Sequence, residues 1–228
     1  MTLLWIIVRP AEAVARFRKR PSWIASFLAL TVVGIALLML RHPEAVRLTL
    51  EHLPASATGA DHDRVRSILD RELTFRCLFL PVRLLIGWGS FAVLLDLGCR
   101  AFLGARAAGF RHFFALEVHA ESTLLLSHIV VMIAQMFGMR TFEGYPPVHP
   151  ISLAAMVTAP PDFVLYSLLG ITNIFTLWYL ILLVYGAAVF CDTRMRRALL
   201  PVIVVWLLSV GFDLGVTSLL RDALRLSL

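Results

Sequence analysis

The long, mostly apolar stretch from Arg111 to Phe137 carries Glu117, His119, Glu121, His128 and Gln135. Carboxylates and imidazoles hold metal ions, relay protons and act as general acids and bases, so their arrangement comes first. At about 100° per residue, Glu121, His128 and Gln135 fall within about 40° of Glu117, while His119 points away. Glu117, Glu121, His128 and Gln135 thus share one polar stripe on a helix long enough to cross a bilayer. Ionisable side chains at membrane depth are costly and face other helices or a water-filled cavity rather than lipid. The other helices must cover that stripe.

The spacing limits the chemistry. Glu117 and Glu121 are one turn apart and placed to share an ion. His128 lies seven residues beyond Glu121, about 10 Å along the axis, so one ion does not reach all three and no metal is expected. A ladder along an aqueous crevice, or a proton path, fits the spacing better than a metal site. Arg100, Arg106 and Arg111 stand near the same end, and structural pairing with them, or a hydrated vestibule, is the favoured reading of the two carboxylates. A hydrolase built on Ser122, Ser127 and His128 is disfavoured, because the adjacent Ser127 and His128 point about 100° apart. A Ser–His pair would have to come from two helices, and no glycine-framed serine is present. Without a G-x-S-x-G, H-E-x-x-H or P-loop pattern, neither an enzyme nor a cofactor is expected.

Other polar residues fall in apolar runs. Arg83 and Asp213 are expected in the same outer half of the membrane, where the readings are a buried ion pair between them or an Arg83 that snorkels to the surface. Asp96 is expected at the interface near Arg100, and Asn173 as a donor of interhelical hydrogen bonds. Trp23, Trp88, Trp178, Tyr179 and Tyr185 are expected as packing or interface anchors.

Composition sets the class that must position these residues. The 228 residues are 59% hydrophobic and 16% charged, with a mean hydropathy of +0.82. A soluble domain is nearer 45–50% apolar and about 25% charged, so the balance is that of an integral membrane protein. The net charge of +6 sits in short clusters between apolar runs, as flanks of membrane helices do, and not on a nucleic-acid-binding face. Of 21 basic residues only Lys19 is a lysine. Cys77, Cys99 and Cys191 form no C-x-x-C pair and are expected as reduced thiols near helix ends.

In chain order, Leu3–Val8 is too short to span. With Pro10 at the first turn of a piece over Ala11–Arg18 and basic Arg16, Arg18, Lys19 and Arg20, it makes an N-terminal interfacial segment. Five spans follow: 23–40, 75–97, 112–137, 164–190 and 199–220. No A-x-A-like site follows the first, which is expected as a retained anchor. Residues 41–73, with Pro43, Pro54, Gly59 and mixed charges, read as a solvated loop carrying two short helices near 44–52 and 61–73. The second begins Asp61-x-x-Arg64, without the glutamate of a capping box. A proline-rich connection occupies 138–162 and a tight basic turn 191–197. The expected fold is all-α, a single polytopic membrane domain over 1–228. The N-terminal segment, the 100–111 loop and the 191–197 turn carry net charges of +4, +3 and +2. They are expected in the cytoplasm, with the C-terminus outside and 41–73 extracytoplasmic.

Three stretches carry a resemblance. Arg9-Pro10 followed by Phe17-Arg-Lys-Arg-Pro21-Ser22-Trp23 leads into the first span. Gly109-Phe110-Arg111-His112-Phe113-Phe114 opens the third. Ile174-Phe175-Thr176-Leu177-Trp178-Tyr179, then Arg197-Ala198-Leu199-Leu200 and Val205-Trp206, make the hairpin of the fourth and fifth. In this order, over nearly the whole chain, they resemble the Yip family of five-span membrane proteins, named for eukaryotic members that interact with Ypt/Rab GTPases, and in particular its bacterial branch. The family usually has small or aliphatic residues early in span three, from which Glu117, His119 and Glu121 depart. The resemblance implies a non-enzymatic protein of a bacterial inner membrane, acting in membrane organisation or protein interaction. Its partners would be the lipid bilayer and a protein or a second copy, with no nucleic acid. The alternative is a small transporter, or a lipid- or proton-conducting protein, using the stripe of span three.

Overall fold

A computed structural model of the chain describes residues 3–51, 53, 58–104, 109–136, 150–157 and 162–226, and among these the secondary structure is helical. In chain order the helices are α1 (Leu3–Val8), α2 (Pro10–Lys19), α3 (Ile24–Glu51), α4 (Gly59–Leu103), α5 (Phe110–Met136), α6 (Phe163–Ile171), α7 (Ile174–Phe190) and α8 (Met195–Leu226). A 3₁₀ turn, Leu153–Met156, precedes α6. Four of the helices, α3, α4, α5 and α8, are long and apolar enough to cross a membrane, and α7 is a shorter apolar helix of 17 residues. Several such helices mark a multi-pass membrane protein. The chain divides into two compact units, residues 27–87 and residues 1–26 with 88–228.

The unit of residues 27–87 corrects the loop expected over 41–73. The short helices expected at 44–52 and 61–73 are continuous with the spans: α3 runs through Pro43 to Glu51, and α4 starts at Gly59 and runs 45 residues without a break. At 1.5 Å per residue α4 is about 68 Å long, roughly twice what a hydrocarbon core requires. Several of the mixed charges that suggested a loop are helix-surface pairs. Arg47 binds Glu44 and Glu51, and Arg76 binds Glu72, at spacings of three and four residues. Within this unit the two helices are antiparallel. Gly34 lies against Leu80, whose Cδ2 would stand 3.1 Å from an added Cβ, and His42 Nε2 meets Asp70 Oδ1 at 2.7 Å. Thr58, not Asp61, is the N-cap of α4. The Thr58 amide and hydroxyl both donate to Asp61 Oδ2 at 2.8 Å, while the Asp61 amide reaches back toward Thr58 Oγ1 at 3.4 Å. This is a capping box with aspartate in the glutamate's place.

The other unit is organised around α5, which packs on α7, α1 and α2, while α7 also packs on α8 and α2. Ile6, Ala13, Val14 and Phe17 are buried, so α1 and α2 pack into the helical unit along their apolar side. Pro10 begins α2, and Arg16, Arg18 and Lys19 complete its last turn, where positive charge opposes the helix dipole. The approach of α5 to α7 is close enough that a Cβ on Gly186 would stand 2.3 Å from Leu116 Cδ2, a place only glycine fills. At the end of α7, Asp192 takes a left-handed backbone (φ 48°). The Thr193 amide donates to the Ala188 carbonyl at 2.9 Å and the Cys191 amide to that of Ala187 at 3.0 Å, closing the helix into a tight turn that ends at Arg194, shorter than the 191–197 expected. α8 then runs past the expected 199–220 at both ends, with Pro201 inside its second turn.

The expected fourth span, 164–190, is two helices with a break at Thr172-Asn173. Asn173 bonds to the two helices that it separates. Its Oδ1 accepts from the amides of Phe175 and Thr176 at 2.9 and 3.0 Å, and its Nδ2 donates to the Ile171 carbonyl at 3.2 Å. One side chain thus satisfies the last carbonyls of α6 and the first amides of α7. The segment before α6 adds an antiparallel bridge between Ser152 and Asn173, with the Leu153 amide on the Thr172 carbonyl at 3.2 Å. Non-helical backbone in an apolar run needs such partners, because lipid offers none. Most of the proline-rich connection, 137–149 and 158–161, lies outside the described residues, as does Arg106.

Two outcomes follow. Asn173→Ala removes both sets of bonds and is expected to lower stability by about 1–2 kcal/mol. Asn173→Asp, which keeps the acceptor, loses less, and thermal unfolding in detergent reads the difference. At the start of α4, hydrogen bonds from the Thr58 amide and hydroxyl hold the Asp61 carboxyl below its ordinary value of 3.8. That support is complete above the ordinary value and is lost as the pH falls through the lowered one. A carbon-13 carboxyl titration is expected to place Asp61 below 3.8, and Thr58→Ala to raise it again.

Candidate functional site

Every residue from Phe113 to Ala120 is buried, so this part of α5 is enclosed on all sides. A helix buried all round is normally apolar all round. Here it carries Glu117, 2% exposed, and His119, wholly buried. Each is held by a partner from a different part of the chain.

Tyr179 on α7 donates its hydroxyl to Glu117 Oε1 at 2.8 Å, while Glu117 Oε2 is buried without a hydrogen-bond partner. Glu121, one turn on, is partly exposed and accepts from the indole N–H of Trp88 on α4. The two carboxylates are close enough to act on each other's charge. The result is a carboxyl pair on α5 clamped by two aromatic donors, tyrosine from α7 and tryptophan from α4. A buried negative charge needs donors or a neutralising cation, and Tyr179 and Trp88 supply one donor each. Trp88 and Tyr179 do pack, as expected of anchors, but their polar ends bind the stripe. Of the three arginines expected to neutralise the carboxylates, Arg100 binds Asp96 at 2.9 Å, Arg111 is exposed, and Arg106 lies outside the described residues.

The stripe does not stay in one environment. His128 is exposed and its Nδ1 is 2.7 Å from the Leu124 carbonyl one turn back, so that nitrogen carries the proton and donates. The Gln135 side chain lies outside the described residues. Arg83 and Asp213, expected as a buried ion pair, are each exposed on their helices, α4 and α8, and lie in different compact units. Asp96 stands beside Arg100, as its position in the sequence indicated.

His119, on the opposite side of α5, makes a contact that the helix-wheel argument did not find. Its Nδ1 lies 2.7 Å from the Ala115 carbonyl, which only accepts, so Nδ1 carries the proton. Nε2 is therefore the acceptor for Ser26 Oγ at 2.8 Å. The Phe17 ring lies against the imidazole, centroids 4.2 Å apart. A Ser–His pair from two helices thus exists, from Ser26 rather than Ser122 or Ser127. The hydroxyls of Ser122 and Thr123 turn back to the carbonyls of His119 and Ala120. With Ser26 3% exposed and His119 wholly buried, the pair ties the start of α3 and the end of α2 to α5 and offers a substrate no approach. Cys99 and Cys191, 0% and 7% exposed, meet thiol to thiol at the ends of α4 and α7. Among the described residues no three His, Cys, Asp or Glu side chains are grouped to hold a metal ion.

No protein-family model, curated protein or solved structure matches the chain.

The Glu117–Tyr179 bond makes a specific forecast. Tyr179→Phe leaves Glu117 buried with neither oxygen partnered, at a cost of about 1–3 kcal/mol. Adding Glu117→Leu to Tyr179→Phe removes the orphan and is expected to restore most of that stability in detergent unfolding. A double variant less stable than Tyr179→Phe alone would show that the hydrogen bond is not what the pair contributes.

Proposed function

We propose that this chain is a non-enzymatic, multi-pass protein of the Yip type in a bacterial inner membrane, acting in membrane organisation or protein interaction. The N-terminus lies inside and the C-terminus outside in this reading, as the basic loops indicate. The observation that carries it is the closure of the polar site. Glu117 is 2% exposed and its bond to Tyr179 joins α5 to α7 in the interior. Buried polar pairs of this kind fix which helix faces meet, because any other register leaves a charge or a donor unpaired. A protein whose polar residues hold its helices in register works as a platform, with the bilayer and a protein or second copy as its partners.

One feature favours a second reading, a small transporter or a lipid- or proton-conducting protein. Glu117 Oε2 lacks a partner, Glu121 is partly exposed and His128 is exposed, so the stripe opens along α5.

Cysteine accessibility in native membranes separates the two. Glu117→Cys, Glu121→Cys, His128→Cys and Gln135→Cys are made one at a time with Cys77, Cys99 and Cys191 replaced. For the platform, a membrane-impermeant thiol reagent is expected to leave positions 117 and 121 unlabelled. Continuous labelling from 117 to 135 would put the conduit first, and Glu117→Gln would then abolish flux in a normally assembled protein.

A further inference from the structure

The ion pair between Arg18 Nη2 and Asp192 Oδ2, 2.9 Å long, joins two basic segments that lie 174 residues apart in the chain. One is the end of α2, with Lys19 and Arg20. The other is the start of α8, with Arg194, Arg196 and Arg197. All five of these side chains are exposed. Burial of Ala13, Val14 and Phe17 fixes which side of α2 faces inward, and the left-handed Asp192 aims the turn that carries the three arginines. Asp192, the one acid of the turn, is already engaged by Arg18.

The apolar surface beside this cluster identifies what it takes. Leu199 and Leu200 follow the arginines of α8 within a turn and are 49% and 54% exposed. Ile24, four residues after Arg20, is 60% exposed. A soluble polyanion would satisfy the cations and leave these residues bare. A phospholipid carries an anionic phosphate directly above acyl chains, which matches cations directly above an apolar belt on helices that cross a bilayer. Arginine also holds phosphate in a two-pronged geometry that favours the headgroup over a diffuse counterion.

We propose that Lys19, Arg20, Arg194, Arg196 and Arg197 form a binding site for the headgroup of an anionic phospholipid, at the place where the Arg18–Asp192 ion pair joins the two segments. The site selects lipids by charge, takes the phosphate between α2 and the α7–α8 turn, and lets the acyl chains lie along Leu199 and Leu200.

The test uses the purified full-length chain with phosphatidylglycerol or phosphatidylcholine of matched acyl chains, bound lipids being counted by native mass spectrometry. Phosphatidylglycerol is expected to be retained about tenfold over phosphatidylcholine, and the preference to shrink as ionic strength rises. Combined Arg194→Gln, Arg196→Gln and Arg197→Gln removes the preference. Lys19→Gln with Arg20→Gln, on the other side of the site, reduces it in the same direction. Combined Arg64→Gln, Arg66→Gln and Arg71→Gln, an equal loss of charge on α4, leaves it intact. Equal retention of the two lipids, loss of the preference in the α4 variant, or full displacement of the lipid by inorganic phosphate would each overturn the proposal.

Discussion

The structure depends on one costly placement, a carboxyl group within the enclosed part of a helix. Glu117 sits in a run of eight consecutive buried residues, and the arrangement around α5 answers to it. Tyr179 has to reach it from α7, so α7 must come close, and Gly186 opposite Leu116 permits that approach in the same helix pair. Trp88 engages Glu121 from α4, so the second half of α4 is tied to the same face of α5. On the other side of α5, Ser26 and Phe17 meet His119, which draws in the N-terminal segment. Polar anchors therefore say where each neighbour goes, and apolar contacts fill in around them. In lipid, where apolar burial discriminates little between helix faces, this is the interaction that selects one arrangement.

The same constraint explains the break between α6 and α7. An apolar helix stops in mid-run only if something else takes over its backbone groups. Asn173 does so in both directions, and Ser152 and Leu153 supply the rest from the preceding segment. The interruption is built in by one side chain, and the helix that begins there carries Tyr179, the partner of Glu117.

Much of this was legible in the sequence, for reasons that can be named. Apolar length marks the long helices, and Pro10, the 191–197 turn and the nearness of Asp96 to Arg100 follow from local rules. The 3.6-residue period put Glu117 and Glu121 on one face. Three things were hidden. Residues 41–73 looked like a loop because Pro43 and mixed charges usually signal one, yet charges there pair at helical spacing and Thr58 caps the helix with aspartate in the place of the motif's glutamate. The break at Asn173 was masked by the hydrophobicity on both sides of it. The partners of Glu117 and His119, 62 and 93 residues away, could not be read at all, since periodicity orders residues within a helix and says nothing about which helices meet.

The polar seam and the basic end of the protein are two halves of one problem. A helical unit whose interior register is fixed by Glu117 and Tyr179 presents its surface in one arrangement, so residues far apart in the chain arrive at that surface in fixed relation. Arg18 meets Asp192 because α2 is buried through Phe17 against α5, the helix whose His119 the same phenylalanine covers. Were α5 free to rotate, the ion pair alone would not hold the two basic segments together, since an exposed pair contributes little by itself. The buried contacts thus hold the weakly paired surface charges of the two segments in one fixed relation.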